Sequence, residues 1–527
     1  MSDNKYFLLL KNLRAIVNNP KHLSKLAIQG ILVGTFAGLM VCLYRFLLSG
    51  SETVLRDLLT FSNGNIILIL LWFIALAILG LITAFLVKWE PDSIGSGIPQ
   101  INAEVKGFLD TNWWKVLFSK ITAGILTALG GLSLGPEGPS VQIGGMSGKG
   151  VSKLFKASKT DELRLILVGS TVGITAAFNA PLAGVIFVIE EINHGFDKTL
   201  IFIALIASIV ADFISKSFFG QATALNFPLE TIPLSSYWIF IVLGIVLGIC
   251  GYIYNVGMIK SNDFWERFPN IPLEAKFVLI FLIAGVVGLY IPEILDGGHF
   301  MLNILDFAIP SLSILIILLV AKYLFSVVSF SAGIPGGIFL PLLVIGAYIG
   351  AVFGSIVTPF LGFEEVIIYK FIVISMAGFF AATIRAPITG VVLLSEMCGS
   401  TESLVAMLIV VIIAYSIPML LNNRPIYESL FERLLSKNNF DIVHDTSKHV
   451  LSEYMIPFGW KYLGKTIKEV PFPKNCIVVS ITRNGEYILA NDDITLHYAD
   501  QIYVLMDSNN YSKNNAEIEK IMDEKIK

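Results

Sequence analysis

The feature that most constrains this chain is a set of long apolar segments interrupted by Gly and Pro. Residues 132–145 read LSLGPEGPSVQIGG and place one acid, Glu137, between two Gly-Pro pairs. A backbone that leaves helical geometry inside lipid is tolerated only where protein buries it or where it lines a wet cavity. If such segments cross a membrane, their breaks must therefore meet inside the protein.

The apolar runs are long enough to cross a membrane. Residues 66–87 carry no charged side chain and can span about 30 Å of hydrocarbon. The chain is 55% hydrophobic and only 15% charged, whereas about a quarter of a soluble protein is charged. Further runs lie near 26–49, 164–191, 199–219, 238–258, 276–292, 311–330, 338–360, 367–395 and 403–421.

The start of the chain is basic and does not resemble a secretory signal. No short apolar core with a small-residue cleavage site is present, so we expect a multi-pass protein of the cell membrane with cytoplasmic N- and C-termini. The net charge of −3 gives no case for nucleic-acid binding. The cysteines are scattered, form no CxxC motif and are typical of small core residues. The basic residues before the first run are Lys5, Lys11, Arg14, Lys21 and Lys25.

The composition changes along the chain and predicts a membrane body followed by a small polar domain. Apolar and polar residues alternate over 475–507, and Asn484-Gly485 between two such runs is a strong hairpin signal. The predicted divisions are an N-terminal segment (1–25), the membrane domain (26–435), a linker (436–445), the small domain (446–510) and a tail (511–527).

The membrane body contains an internal repeat. Residues 176–191 match 385–397, with Glu190 over Glu396, and residues 133–138 match 331–336 in the same order. Duplicated halves with interrupted apolar segments are typical of transporters with a central site, although the sequence alone leaves parallel and inverted halves open. Because Glu190 and Glu396 recur in both halves, we expect them to have a structural role such as capping a buried backbone group.

Gly/Pro clusters precede plausible helices, and Pro suits the first helical turn. Free N–H groups at a helix start attract anions, so converging starts predict an anion site without a fixed full charge, from which the ion can leave. The clusters are GSGIP (95–99), GPEGP (135–139), GIPGGIFLP (333–341) and NNRPIY (422–427).

Candidate ligands for that anion lie beside the clusters. They are the hydroxyls of Ser96 and Tyr427 and the main-chain N–H groups around Ile338 and Phe339. Glu137 is an acid next to an anion-attracting helix start, so it could occupy the site when ionised and leave it when protonated. Glu190 or Glu191, at the end of another apolar run, could supply a second proton station.

These motifs together resemble the CLC family of chloride channels and proton-coupled chloride antiporters. GSGIP, G-x-E-G-P and GIFLP (337–341) occur in that order, with AAFNAPLAGVIFVIEE (176–191) between them, and the resemblance covers nearly all of 26–435. It implies an all-α polytopic membrane protein, a homodimer in which each subunit has its own pore, and a CLC fold of two inverted halves with broken helices.

The resemblance also implies roles for particular residues. Ser96 and Tyr427 would donate hydroxyls to the central anion, and Ile338 and Phe339 would donate backbone N–H groups. Glu137 matches the gating glutamate, which competes with the anion and accepts protons from outside. The internal proton-transfer glutamate of the antiporters corresponds to Glu191, and the serine of GSGIP resembles the chloride-type members.

Two features depart from the usual family pattern. Pro136 stands where the family usually has Arg, which removes a positive charge beside the gate. The region after 446 resembles a C-terminal regulatory domain of the RCK-C (TrkA-C) type, carried by LGKTIKEVPFPKNCIVVSITRNGE and ADQIYVL. That implies a small α/β cytoplasmic domain, dimerisation of the tails, and regulation by a nucleotide or other small ligand.

Each candidate residue also has a plain structural interpretation. Ser96 could be a helix cap, Tyr427 an anchor at the membrane interface, and Glu137 an acid in an aqueous loop. Glu191 could be a helix-end acid near the water boundary. Ile338 and Phe339 could be ordinary core residues.

The predicted function is secondary active exchange of chloride for protons across the bilayer, gated by a protonatable glutamate. The alternative is a passive voltage- or pH-gated chloride channel of the same fold. An enzyme is disfavoured because no HExxH, GxSxG or Walker A motif is present, and an anchor for a sensor needs no repeated breaks. We expect no catalytic residues, no metal and no cofactor, with chloride as the transported substrate.

Overall fold

The computed structural model describes residues 20–62, 64–195, 197–437, 449–507 and 510–525. They form two compact units, one containing the helices up to 437 and one containing the residues from 449 onward. Most of the predicted N-terminal segment and linker lies outside the described residues. The predicted domain boundaries therefore stay predictions.

The first unit is all-helical. Its helices are α1 (Pro20–Ser62), α2 (Ile66–Trp89), α3 (Ile98–Val105), α4 (Trp113–Leu129), α5 (Glu137–Leu154), α6 (Lys159–Phe178), α7 (Pro181–Phe187), α8 (Lys198–Phe219), α9 (Trp238–Glu266), α10 (Leu273–Tyr290), α11 (His299–Phe307), α12 (Leu312–Phe330), α13 (Phe339–Leu361), α14 (Ile367–Ile384), α15 (Pro387–Cys398), α16 (Leu404–Leu420) and α17 (Ile426–Lys437). A π-helical segment, Val188–Asn193, continues α7.

Eight helices in the described part of the chain are long and apolar enough to cross a membrane, which confirms a multi-pass membrane protein. They differ in burial: α14 is enclosed along its whole length, whereas α2 exposes many apolar side chains, as a helix at a lipid boundary does. The eight are α1, α2, α8, α9, α10, α12, α13 and α14.

Two of the apolar runs do not form single helices. The run 164–191 breaks at Asn179, and the run 367–395 breaks at Arg385. Both residues adopt the left-handed conformation, with φ of +55° and +74°, and each ends a helix before an Ala-Pro pair that starts the next. Asn179 is a residue type that often ends a helix in this conformation, whereas Arg385 is not.

The two halves of this unit meet around Gly135 and Gly337. The two residues pair in antiparallel fashion, with N–H to carbonyl distances of 2.6 and 2.7 Å, as expected for inverted halves. Gly135 therefore corresponds to Gly337, whereas the sequence match had placed it over Gly333. That match was wrong in register because it paired Gly and Pro residues by type. The helices start at Glu137 and Phe339, and these two residues correspond.

Each half caps a helix of the other half. The Glu190 carboxylate accepts hydrogen bonds from the N–H groups of Ile388 (3.1 Å) and Thr389 (2.8 Å), at the start of α15. The Glu396 carboxylate accepts from the start of α7, at Leu182 (3.0 Å) and Ala183 (2.8 Å). The predicted capping role of the two repeated acids is confirmed, because carboxylates satisfy the free donors of a helix start.

A pair of fully buried lysines repeats in the same way. The Lys120 ammonium donates to the carbonyls of Ser93 (2.8 Å) and Gly95 (2.7 Å), just before α3. The Lys322 ammonium donates to carbonyls before α11, those of Ile294 (2.9 Å) and Asp296 (2.7 Å). Each lysine thereby fixes the loop that precedes a short helix.

The second unit contains a four-stranded antiparallel sheet and one helix. The strands β1 (His449–Met455), β2 (Cys476–Arg483), β3 (Glu486–Leu489) and β4 (Gln501–Asp507) lie in the order β1-β4-β2-β3, and the helix is α18 (Tyr511–Asp523). The predicted hairpin is present between β2 and β3, where Asn484 and Gly485 both have positive φ. Bidentate hydrogen bonds to Asp500, at 2.8 and 2.9 Å, raise the pKa of Arg483.

Candidate functional site

The starts of α5 and α13 come together at the Gly135–Gly337 pair. At each start the chain leaves an extended segment and enters a helix, so the first N–H groups have no acceptor within the helix. Two helix starts with free donors thus lie next to one another, buried inside the unit. The sequence-based expectation of converging breaks is met here.

Glu137 lies at this meeting point. Its side chain is 1% exposed, and its Oε2 accepts a hydrogen bond from the N–H of Leu340 at 3.3 Å. The acid therefore belongs to the first half but has its carboxylate at the start of α13 in the second half. A helix start favours a negative charge, so an ionised carboxylate is stabilised at this position.

Ser96 and Tyr427 stand at two further breaks, before α3 and at the start of α17. Tyr427 lies beside Ser96, and a methyl group added at Gly138 would lie 2.3 Å from Ser96 Oγ, so this glycine allows the serine to approach α5. Among the described residues, neither hydroxyl oxygen makes a hydrogen bond of standard geometry, although both are buried and the two side chains interact with each other. A buried unsatisfied polar group costs about 1–3 kcal/mol, which a small anion bound by both hydroxyls would offset.

Ile338 and Phe339 are buried at the start of α13. The Phe339 ring packs against Phe178 (centroids 5.2 Å apart), Phe187 (6.0 Å) and Phe380 (4.7 Å). These aromatic contacts fix the helix start from the apolar side. What the two residues offer an anion is main-chain N–H, which any side chain would leave available.

Glu191 lies in the π-helical segment, next to the capping acid Glu190. It is 8% exposed, and its charged neighbours include Lys106 and Glu428. Tyr427 lies near both Glu137 and Glu191. The structure thus brings the predicted gating acid, the predicted anion ligands and the second acid into one buried region.

Pro136 stands immediately before Glu137, where a positive charge was expected from the family pattern. Arg45 of α1 lies near Glu137 and supplies positive charge from another helix. Its guanidinium is anchored at the end of α6, where it donates to the Ala176 carbonyl, Asn179 Oδ1 (3.2 Å) and Ser215 Oγ (2.9 Å). Arg45 is therefore a positive charge near Glu137 that is held in place by contacts on other helices.

Sequence reasoning missed the break at Asp296–Gly298, before α11. It is the second-half counterpart of Gly95–Gly97, before α3, and Gly97 and Gly298 both have positive φ. Two adjacent glycines in an apolar region were the signal. No Pro follows these glycines, unlike those of GSGIP, so the signal is weaker.

One group of carboxylates is close enough to hold a metal ion, within the described ranges, but it is filled by a lysine. The Lys149 ammonium lies 2.5 Å from Glu104 Oε1 and 2.7 Å from Asp110 Oδ1. Glu162, the third acid of the group, pairs with Lys153 and Lys159 at 2.7 Å. These contacts identify an ion-pair cluster that joins α3, α5 and α6.

Comparisons with known proteins agree with this geometry. Residues 79–418 match the family model of the voltage gated chloride channel, and residues 451–515 match that of the TrkA-C domain. An H(+)/Cl(-) exchange transporter ClcA of Salmonella arizonae is 31% identical over 437 residues, covering 81% of this chain and 92% of the relative. The ClcA exchanger of Citrobacter koseri is 32% identical over 397 residues, covering 73% and 84%.

Solved structures share the fold. A slow cyanobacterial Cl-/H+ antiporter matches with a TM-score of 0.75 and 29% identity, over 79% of this chain and 99% of that one. A eukaryotic CLC transporter matches with a TM-score of 0.66 at 20% identity, over 78% and 74%, and shows the fold alone. The family model covers more than half of the chain, and the curated relatives extend over most of its length. The chain therefore belongs to the voltage-gated chloride channel family, with a TrkA-C domain after its membrane body.

Proposed function

We propose that this protein exchanges chloride for protons across the cell membrane. The observation that carries the proposal is the position of Glu137: a carboxylate bound to the N–H of Leu340, at a helix start beside two buried hydroxyls that make no hydrogen bond of standard geometry among the described residues. Because one helix start can hold either this carboxylate or a halide, protonation of Glu137 and chloride binding are linked.

The electrostatics favour exchange of this kind. When Glu137 is ionised, the start of α13 attracts its carboxylate. When the acid is protonated, that attraction falls, the side chain can leave, and chloride can use the donors of Ser96, Tyr427, Ile338 and Phe339. No fixed full charge touches the anion in this arrangement, so the anion can also dissociate.

Glu191 is the proposed proton station on the other side of the anion ligands. Its burial and its position near Tyr427 support this role, as does the fact that Glu190, not Glu191, is occupied in capping α15. A channel needs no second buried acid, so Glu191 favours coupled exchange over passive flow. The curated relatives named as exchange transporters support the same choice.

The proposed oligomeric state and regulation follow from the family, and the proposed orientation of the termini follows from the basic residues before the first apolar run. We propose a homodimer with cytoplasmic N- and C-termini and no cofactor, in which chloride and protons are the transported species. The TrkA-C domain is proposed to regulate exchange by binding a nucleotide or another small ligand. The relatives are transporters, and the proposal includes no enzymatic reaction.

The test is flux from proteoliposomes, with chloride efflux and external pH recorded together. Wild type should move protons against chloride, and Glu137→Gln and Glu191→Gln should each abolish proton movement while chloride still passes. Glu190→Gln is the matched control for Glu191, because it changes the neighbouring acid without removing the proposed station, and it should keep coupling. A wild-type reversal potential that follows chloride alone, whatever the pH, would instead establish a passive channel.

A further inference from the structure

A second pair of acids lies beside Glu137 on the α1 side. Glu52 of α1 and Asp296, before α11, both line one small cavity of about 10 Å³, which is about the smallest space that holds a water molecule. Gly135 and Pro136 line the same cavity. The cavity therefore joins these two carboxylates to the start of α5.

Asp296 occupies a backbone position that does not call for a side chain. Its φ is +58°, and its counterpart in the first half is Gly95, with φ of +62°. The left-handed conformation is easiest for Gly and is also tolerated by Asp and Asn. The loop geometry thus explains why Gly95 serves in one half, but it does not explain a carboxylate in the other.

The Asp296 carboxylate is buried with one ion-pair partner, Arg56, and without a hydrogen bond among the described residues. The residue is 3% exposed, and neither carboxylate oxygen has a hydrogen-bond partner among the described residues. Arg56 approaches only to 3.7 Å and is itself 31% exposed, so it links the site to the surface. A buried polar group without hydrogen bonds requires an explanation, and a proton-carrying role supplies one.

Asp296 is surrounded by groups that can stabilise or exchange its charge. The Lys322 ammonium donates to the Asp296 carbonyl at 2.7 Å, and Arg56 pairs with the carboxylate. The titratable and charged groups around the cavity and its lining loop include Tyr44, Arg45, Glu52 and Arg56 of α1, Glu137 of α5, His299 of α11 and Lys322 of α12.

The path from Asp296 to Glu137 is short. A methyl group added at Gly297, the next residue, would lie 3.6 Å from the Cα of Gly135. A methyl group added at Gly135 would lie 2.4 Å from Glu137 Oε2. Gly135 therefore lies between the loop of Asp296 and the carboxylate of Glu137. The Leu340 side chain packs beside both glycines, 2.8 Å from the methyl group added at Gly297 and 3.1 Å from the one added at Gly135.

We propose that Asp296, assisted by Glu52, is a proton station that delivers protons to Glu137. The inference rests on the proposed function. An O–H bond of protonated Asp296 breaks, a water molecule in the cavity relays the proton, and an O–H bond forms on Glu137. The negative charge moves from Glu137 to Asp296, where Arg56 and Lys322 stabilise it, and Asp296 regains a proton from solution through Glu52.

The experiment compares Asp296→Asn and Asp296→Gly in two backgrounds, wild type and Glu137→Ala. Both substitutions suit the left-handed backbone, and Gly is the residue that the first half uses. Asp57→Asn, an exposed acid on α1, is the matched control, and Glu52→Gln tests the second acid. Proteoliposome chloride efflux and proton uptake are measured over a range of external pH.

In the wild-type background, the Asp296 variants should slow coupled exchange roughly tenfold, since a positioned acid typically contributes at least that much. Their coupling ratio should stay unchanged, and acidic external pH should restore the rate by protonating Glu137 directly. In the Glu137→Ala background, which needs no protonation step, they should leave chloride efflux unchanged.

Equal slowing in both backgrounds would overturn the inference, because Asp296 would then act on the anion path or on folding. Unchanged exchange by both Asp296 variants would overturn it as well. Absence of proton coupling in the wild type would instead contradict the proposed function, and the two failures are therefore distinguishable.

Discussion

The two halves of the membrane body agree where residues support the fold. Glu190 and Glu396 cap each other's half, Lys120 and Lys322 each hold a loop through two carbonyls, and the helix-ending conformation of Asn179 recurs at its second-half counterpart. These pairs satisfy buried backbone groups, which both halves contain equally. The residues that repeat between the two halves therefore support the fold.

The halves differ where residues surround the candidate site. Glu137 has Phe339 as its counterpart, and Gly138 has Leu340. Glu191 follows the capping acid in one half, whereas the residue after Glu396 is Met397. The proposed pore needs only one gate and one anion site, and the residues proposed for them lie where the two halves depart from the repeat.

The largest effect is expected on chloride flux, from Gly138→Ala. This substitution adds a side chain at a position that is Gly in the first half and Leu340 in the second. The added methyl group would lie 2.3 Å from Ser96 Oγ and 3.2 Å from the Cα of Gly337. Displacing the serine hydroxyl should lower chloride flux on the order of a hundredfold, as small misplacements at a reacting site do. Chloride efflux from proteoliposomes measures this.

Gly50→Ala is the control, because this glycine is also helical and nothing lies within 4 Å of an added methyl group. Its flux should equal that of the wild type. A Gly138→Ala protein with normal flux would show that Ser96 does not need its present position.

The second effect concerns the repeated caps. Glu190→Ala and Glu396→Ala should each lower the free energy of unfolding by about 2 kcal/mol, because each removes charge-assisted hydrogen bonds to two backbone N–H groups. Glu191→Gln should change stability by less than either cap variant, because it keeps the side-chain shape and Glu191 caps no helix start among the described residues. Unfolding monitored by tryptophan fluorescence in detergent distinguishes them. The loss at Glu190 should be the larger, because its carboxylate also accepts a hydrogen bond from Thr389 Oγ1 at 2.7 Å. A cap variant with no loss of stability would break the comparison.

The smallest effect is expected from Ile338→Val, which trims a side chain at the start of α13. Stability should fall by about 1 kcal/mol, the usual result of removing one buried methylene group. Chloride affinity measured by calorimetry should stay within roughly twofold, because the proposed ligand there is a main-chain N–H. A large loss of affinity would show that the Ile338 side chain itself contributes to chloride binding, against the proposed main-chain ligand.

The sequence was most informative where local chemistry decides the structure. Gly and Pro placed the starts of α3, α5, α13 and α17, and Asn484-Gly485 placed the hairpin of the C-terminal unit, because each needs only its own backbone preferences. The recurrence of Glu190 was enough to predict its capping role.

The sequence was least informative where a contact joins distant parts of the chain. The hydrogen bond from Leu340 to Glu137 and the Gly135–Gly337 pair depend on how the halves dock, and letter matching placed Gly135 over the wrong residue. The breaks at Asn179 and Arg385 carry no Gly signal at the residue itself. Arg45 could not be connected with Pro136, because they lie on different helices.

The reciprocal caps have a consequence for biosynthesis. The Leu182 N–H donates a hydrogen bond to Glu396, which lies 214 residues later in the chain. A ribosome therefore needs roughly 10 to 40 s to add Glu396 after Leu182. During that interval the N–H groups at the start of α7 lack the carboxylate that accepts their hydrogen bonds. Chains released before this acid is made therefore leave the N–H groups of Leu182 and Ala183 without their carboxylate.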